Sequence, residues 1–186
     1  MKKYLITSRE FYTDTPAVFR SILHEQLSEH LPEYALYRDK TNPAYATQAS
    51  HFVEVCKQFE SIKSFIHSDI ELAKNLNATG VHLTSCDIEK IPKAKDSNLE
   101  VIVSTHTKEE ALLAQKLGAD AITYSPIFTT PNKGEPKGVK KLSEIVNLLD
   151  IKVFALGGII TQKEVDAIER SACYGFASIR YFYWKK

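Results

Sequence analysis

Short apolar runs alternate with longer amphipathic stretches along the chain, and that alternation predicts its elements in order. Tyr4 to Thr7 reads as a first strand. Thr15 and Pro16 open a helix, with proline suited to its first turn, and Val18, Phe19, Ile22, Leu23 and Leu27 form its buried stripe. Tyr34 to Tyr37 is a second strand. Pro43 starts the next helix, with Phe52, Val53 and Cys56 inward. Ser64 to His67 is strand three, Ile70 to Leu76 a short helix, and Gly80 to Leu83 strand four, followed by a helix containing Ile88 and Ile91.

The most regular stretch is Val101 to Gly138. Val101 to Ser104 is a run of mostly β-branched residues, as expected of a strand buried on both faces. Thr107 caps a helix whose apolar positions include Ala111, Ala114, Leu113 and Leu117, and Gly118 ends it. Ala121 to Tyr124 is the sixth strand, and strand, helix and strand with short joints make a parallel, right-handed βαβ unit. Leu142 to Leu149 is a helix, Lys152 to Leu156 strand seven, Thr161 a cap for the helix around Val165 and Ile168, and Gly175 to Ile179 strand eight.

Eight strands alternating with helices point to an α/β protein with a (β/α)8 TIM barrel, one domain over residues 1–186, with a doubly wound open sheet as the alternative. One defect stands out. After Ile179 only a short aromatic tail from Arg180 to Lys186 remains, too little for an ordinary eighth helix. The tail itself or a second subunit in a homo-oligomer would have to cover that gap.

Composition changes this picture little. The chain of 186 residues has a net charge of +1, so no basic footprint suggests nucleic acid or a membrane surface. No run reaches the roughly 18 apolar residues that span a bilayer, and the apolar run near Met1 is too short for a signal peptide. Cys56, Cys86 and Cys173 are scattered, which fits a reduced, cytoplasmic setting.

Candidate chemistry gathers at the C-terminal strand ends, where such barrels place their active sites. Arg38 and Lys40 follow strand two, His67 and Asp69 strand three, and His82 and Asp87 strand four. Ser104 and His106 follow strand five. Thr130, Asn132 and Lys133 lie in the loop after strand six, Gly157 and Gly158 after strand seven, and Ile179 and Arg180 after strand eight. Hydroxyls, glycines and cations on neighbouring loops suit a phosphate, and Lys133, the Gly158 backbone and Arg180 are expected to surround one. A tight turn is the competing explanation for the two glycines, and a helix N-cap for Asp87. His106 is the acid–base candidate, because imidazole exchanges protons near neutral pH, although it could simply bond the next loop. His82 reads as structural, and His24, His30 and His51 as surface or edge residues.

The chain resembles the thiamine-phosphate synthase and thiazole tautomerase superfamily over nearly its whole length. The resemblance rests on YRDK (Tyr37 to Lys40), GVHL (Gly80 to Leu83) with Asp87 beyond, STHT (Ser104 to Thr107), GAD (Gly118 to Asp120), SPIF (Ser125 to Phe128), TPNKG (Thr130 to Gly134) and ALGGI (Ala155 to Ile159). It implies thiamine biosynthesis with a thiazole phosphate in the barrel mouth. A synthase joins that molecule to a pyrimidine diphosphate and uses magnesium; a tautomerase shifts a proton within a thiazole phosphate carboxylate and needs no cofactor. The synthase pattern has a pyrimidine-holding glutamine where this chain has Leu36, and a magnesium-binding aspartate where it has Ser68, with Asp69 one residue late. Asp87 matches the second metal ligand. Asn132 replaces a threonine, and Arg180 replaces a serine. His106 matches the histidine assigned to tautomerases, although many synthases share it. The paired losses at Leu36 and Ser68 rank a tautomerase first, a synthase second, and a non-catalytic phosphate-binding or regulatory protein third.

Overall fold

Eight short parallel strands close into a barrel in chain order in the computed structural model, which describes residues 1–183. They are β1 (Lys2–Ile6), β2 (Tyr34–Tyr37), β3 (Lys63–His67), β4 (Gly80–Leu83), β5 (Glu100–Thr105), β6 (Ala121–Tyr124), β7 (Lys152–Leu156) and β8 (Gly175–Ser178). β1 pairs with both β2 and β8, so the sheet has no edge. Between them run α1 (Arg9–Tyr12), α2 (Pro16–His30), α3 (Tyr45–Cys56), α4 (Ile70–Asn75), a 3-10 helix (Ser85–Lys90) leading into α5 (Ile91–Asp96), α6 (Lys108–Lys116), α7 (Gly138–Leu148), α8 (Gln162–Glu169) and α9 (Arg180–Tyr183). The arrangement is the (β/α)8 barrel expected from the periodicity.

Alternation along each strand sorts the side chains into two cores. Outward residues such as Leu5, Ile66, Val81, Val103 and Ile122 pack against the helices. Inward residues fill the barrel in layers drawn from alternate strands. Tyr4, Phe65, Ile102 and Phe154 come from the odd strands, and the Tyr4 ring lies 5.9 Å from Phe65 and 5.3 Å from Phe154. Two glycines make room for those rings. A Cβ on Gly80 would sit 2.6 Å from Phe65 Cε1, and one on Gly175 2.8 Å from Phe154 Cε1. Towards the C-terminal ends follow inward Leu36, His82, Thr123 and Ala177, then Ile6, His67, Ser104 and Leu156. The interior thus turns from aromatic to polar on the way to the mouth.

Several local expectations need correction. Val18 is 48% exposed instead of buried, because the turn of α2 that carries it faces solvent while Phe19, Leu23 and Leu27 meet the barrel. Leu113 is also exposed: α6 buries Ala111 and Ala114, whose small side chains let the helix lie close to the sheet. α3 begins at Tyr45, not Pro43, because the Asn42 side chain accepts the Ala44 N–H (2.9 Å) in a preceding turn. The short α1 has no counterpart in the periodicity. Among the described residues the eighth helix comprises the four residues of α9, where Phe182 is fully buried, stacked 5.7 Å from Phe176 and edge-on to His30 at 5.4 Å. Tyr183 reaches Phe11 of α1 at 4.6 Å. Aromatic packing across α1, α2 and α9 therefore covers part of the gap; Trp184, Lys185 and Lys186 of the tail lie outside the described residues.

Candidate active site

One side of the mouth is cationic. Arg38 follows β2 half-buried, its backbone N–H donating to Thr7 Oγ1 (3.0 Å), and burial lowers its pKa. Its guanidinium makes no hydrogen bond or ion pair among the described residues, nor does the exposed Lys40 ammonium. His67 ends β3 beside them, held by Tyr45 Oη donating to its carbonyl (3.1 Å). Burial first, then Arg38 and Lys40, push its pKa down to about 4, so the ring is neutral at physiological pH. Both cations therefore act electrostatically on the His67 ring.

The opposite side is built from three neighbouring loops. Gly157 and Gly158 have φ of 100° and 70°, the left-handed region that favours glycine. Their closeness to the β6–α7 loop is the stricter demand: a Cβ on Gly158 would lie 2.6 Å from Phe128 Cβ, and one on Gly157 3.2 Å from Thr130 Oγ1. Phe128 N–H donates to the Gly157 carbonyl (3.0 Å). Ser178 Oγ donates to the Ile159 carbonyl (2.7 Å) and accepts from Tyr181 N–H (3.2 Å), which ties the β7 loop to the segment carrying Ile179 and Arg180. Thr130, Gly157, Gly158, Ile179 and Arg180 are thus on joined loops. Asn132 and Lys133 stand exposed on the same β6–α7 loop, and the side chains of Lys133 and Arg180 make no hydrogen bond among the described residues. The N-terminus of α8 already carries an internal anion, since Glu164 accepts from Thr161 N–H (2.8 Å) and Thr161 Oγ1 (2.8 Å). Any phosphate here must use the glycine loop and the cations instead.

His106 stands between the two sides. Its backbone N–H donates to Glu110 (2.5 Å), within the capping box of α6, and its Nδ1 is 3.2 Å from the Ser125 carbonyl. Ser125 Oγ lies at the same 3.2 Å from Nδ1, and a hydroxyl can donate or accept, so Ser125 engages Nδ1 in either tautomer and Nε2 is the nitrogen left for other work. The bond to the next loop is therefore present. Below it, His82 is buried, with Nδ1 2.8 Å from Tyr4 Oη and Nε2 2.8 Å from Ser104 Oγ. Its neighbours satisfy it as expected. The sequence reading missed Tyr4 as its partner, although alternation in Gly80 to Leu83 already points His82 inward.

The carboxylates do not make the metal site that a synthase resemblance implies. Asp69 caps α4, accepting the Leu72 N–H (2.9 Å), where Ser68 turns the chain with φ of 60°. Asp87 is not an N-cap; it accepts from Thr84 Oγ1 (2.6 Å) and pairs with Lys90 Nζ (2.6 Å), which hold its pKa below the usual range. Magnesium is usually held by carboxylates free to face it together with substrate phosphates, and here one acid is a cap and the other already has an ammonium. These residues do not fit the ion.

The family described as Thiamine monophosphate synthase matches residues 3–182. A putative thiamine-phosphate synthase 2 of Aquifex aeolicus is 37% identical over 120 residues, covering 63% of this chain and 64% of its own length. A thiamine-phosphate synthase of Bacillus licheniformis is 37% identical over 123 residues, covering 63% of this chain and 54% of its own length. The aligned part thus spans under two thirds of both relatives. Thiamine phosphate pyrophosphorylase from Pyrococcus furiosus superposes with a TM-score of 0.83 at 26% identity, over 96% of this chain and 85% of that one. These names favour the synthase reading, ranked second from the sequence, over the tautomerase.

Proposed function

The chain belongs to the thiamine monophosphate synthase family, and from that premise we propose that it joins a pyrimidine diphosphate to a thiazole phosphate, releasing diphosphate. What supports the proposal is a set of cations that make no side-chain hydrogen bond or ion pair among the described residues and follow strands on two sides of the barrel, Arg38 and Lys40 after β2, Lys133 after β6 and Arg180 after β8. Two anionic substrates must be held at once for this coupling, and two cationic sides suit two anions. The thiazole phosphate takes the side of Thr130, Gly158, Ile179 and Arg180. The diphosphate takes the side of Arg38 and Lys40, with Ser104 between the two sides. In the reaction the carbon–oxygen bond to diphosphate breaks, a carbon–nitrogen bond to the thiazole forms, and diphosphate leaves with the electron pair. Fixed cations stabilise the charge that grows on the departing oxygens.

One observation favours a second reading, a proton shift within a thiazole phosphate carboxylate. Leu36 is 1% exposed in the barrel interior and offers no hydrogen bond to a pyrimidine. Incubating the purified chain with both substrates, with magnesium or with a chelator, separates the two. Thiamine phosphate and pyrophosphate formed in equal amounts support coupling. Conversion of the thiazole phosphate carboxylate alone, without coupling under either condition, overturns it.

A further inference from the structure

The barrel contains a hydrogen-bond chain that none of the loops requires. Tyr4 Oη, the His82 ring and Ser104 Oγ run from the aromatic layer to the mouth, each link 2.8 Å long. Tyr4 is fully buried and His82 is 2% exposed. Burial, with His67 and Arg38 nearby, lowers the His82 pKa to about 3, so the ring is neutral and carries one proton. Two tautomers would satisfy the distances, and the surroundings choose between them.

Were the proton on Nδ1, His82 would donate to Tyr4, and the phenol's own proton would need a second acceptor. The Tyr4 ring is surrounded by Tyr34, Phe65 and Phe154, and its hydroxyl makes no other hydrogen bond among the described residues. A buried donor left without an acceptor is the expensive arrangement. With Nδ1 bare, both buried protons find a partner: Tyr4 donates to Nδ1, and Nε2–H donates to Ser104 Oγ. Ser104 then accepts from beneath, and its own proton has no acceptor in the protein among the described residues.

We infer that Tyr4 and His82 are positioning residues that fix Ser104 as a hydrogen-bond donor towards the mouth, for an oxyanion of the substrate. The inference rests on reading the mouth as an anion site, and it gives a use to a polar chain that begins in the aromatic layer. No proton is transferred; the chain only sets a direction. Without Tyr4, the bare Nδ1 has no donor, the ring is free to change tautomer, and Ser104 can donate downward to Nε2 instead of to the ligand.

Two measurements on the full chain test this. Nitrogen-15 NMR of the imidazoles should find His82 as the Nε2–H tautomer between pH 6 and 8; the Nδ1–H tautomer overturns the inference whatever the protein does. Titration with inorganic pyrophosphate should show Ser104→Ala weakening binding about tenfold, the effect of one hydrogen bond to a charged group. Ser104→Thr should restore most of it, and Tyr4→Phe should weaken it about three- to tenfold. The double variant Tyr4→Phe with Ser104→Ala should bind no worse than Ser104→Ala alone, within about twofold, since Tyr4 acts only through Ser104. Fully additive losses would assign Tyr4 a merely structural role and overturn the inference. Should Tyr4→Phe fail to fold, the tautomer and the Ser104 pair decide. Binding unaffected by any of these changes overturns the inference alone; a native chain that binds neither pyrophosphate nor thiazole phosphate overturns the anion reading as well.

Discussion

Arg180 and Leu36 pull the site in opposite directions, and both effects have magnitudes. The Arg180 guanidinium offers a planar fork of donors on the segment that Ser178 ties to the Gly157–Gly158 loop. A charge-assisted contact of this kind is worth about 1.5–3 kcal/mol, so Arg180→Ala should weaken thiazole phosphate binding about ten- to a hundredfold in a calorimetric titration. Unchanged affinity would make it a surface cation. Leu36 and Ser68 work against coupling, one by offering no polar group and the other by offering no carboxylate. Ser68 already sits in the left-handed region that aspartate tolerates. Leu36→Gln with Ser68→Asp should therefore raise coupling above the native rate and make it respond to magnesium, with each single change doing less. A double variant no faster than the native chain would mean that neither position limits the reaction.

Strands were the most legible elements because a buried parallel strand leaves a short, apolar, β-branched run between turn residues. Gly80 to Leu83, Ala121 to Tyr124 and Lys152 to Leu156 match their sequence bounds. Helix faces were less legible: Val18 and Leu113 fit the helical period, but which face meets the barrel is decided by tertiary packing that favours Phe19 and Ala114. The joined loops of the site could be placed because a barrel fixes where strand ends go. The use of Asp69 as a cap and of Asp87 as a partner for Lys90 could not, since a carboxylate in a loop looks the same in sequence whether free or engaged. At this scale the glycines of the strands make the sharpest prediction. A Cβ on Gly80 would stand 2.1 Å from the Glu100 carbonyl oxygen, inside the β4–β5 pairing. Gly80→Ala should lower stability by about 1–3 kcal/mol or more, read as a reduced urea midpoint at constant slope. A midpoint within error of the native one would show that the barrel can widen there.

The barrel as a whole buries imidazoles in neutral form, and this gives stability a defined pH dependence. His67 and His82 have pKa values of about 4 and about 3, below the roughly 6.5 of an unfolded histidine. Between those values the unfolded chain binds protons that the native chain does not, so stability falls as pH drops from about 6.5 towards 4. Urea midpoints should decline across that window, and His67→Asn should flatten the slope; a profile level from pH 7 to 4.5 would contradict the burial of these rings. The central claim is that one mouth holds two anions on opposite sides. It is tested most directly by titrating thiazole phosphate into the chain already saturated with inorganic pyrophosphate. The account predicts one equivalent of each bound together, with the thiazole phosphate affinity within about threefold of its value alone. Mutual exclusion, or binding of only one of the two, would contradict it.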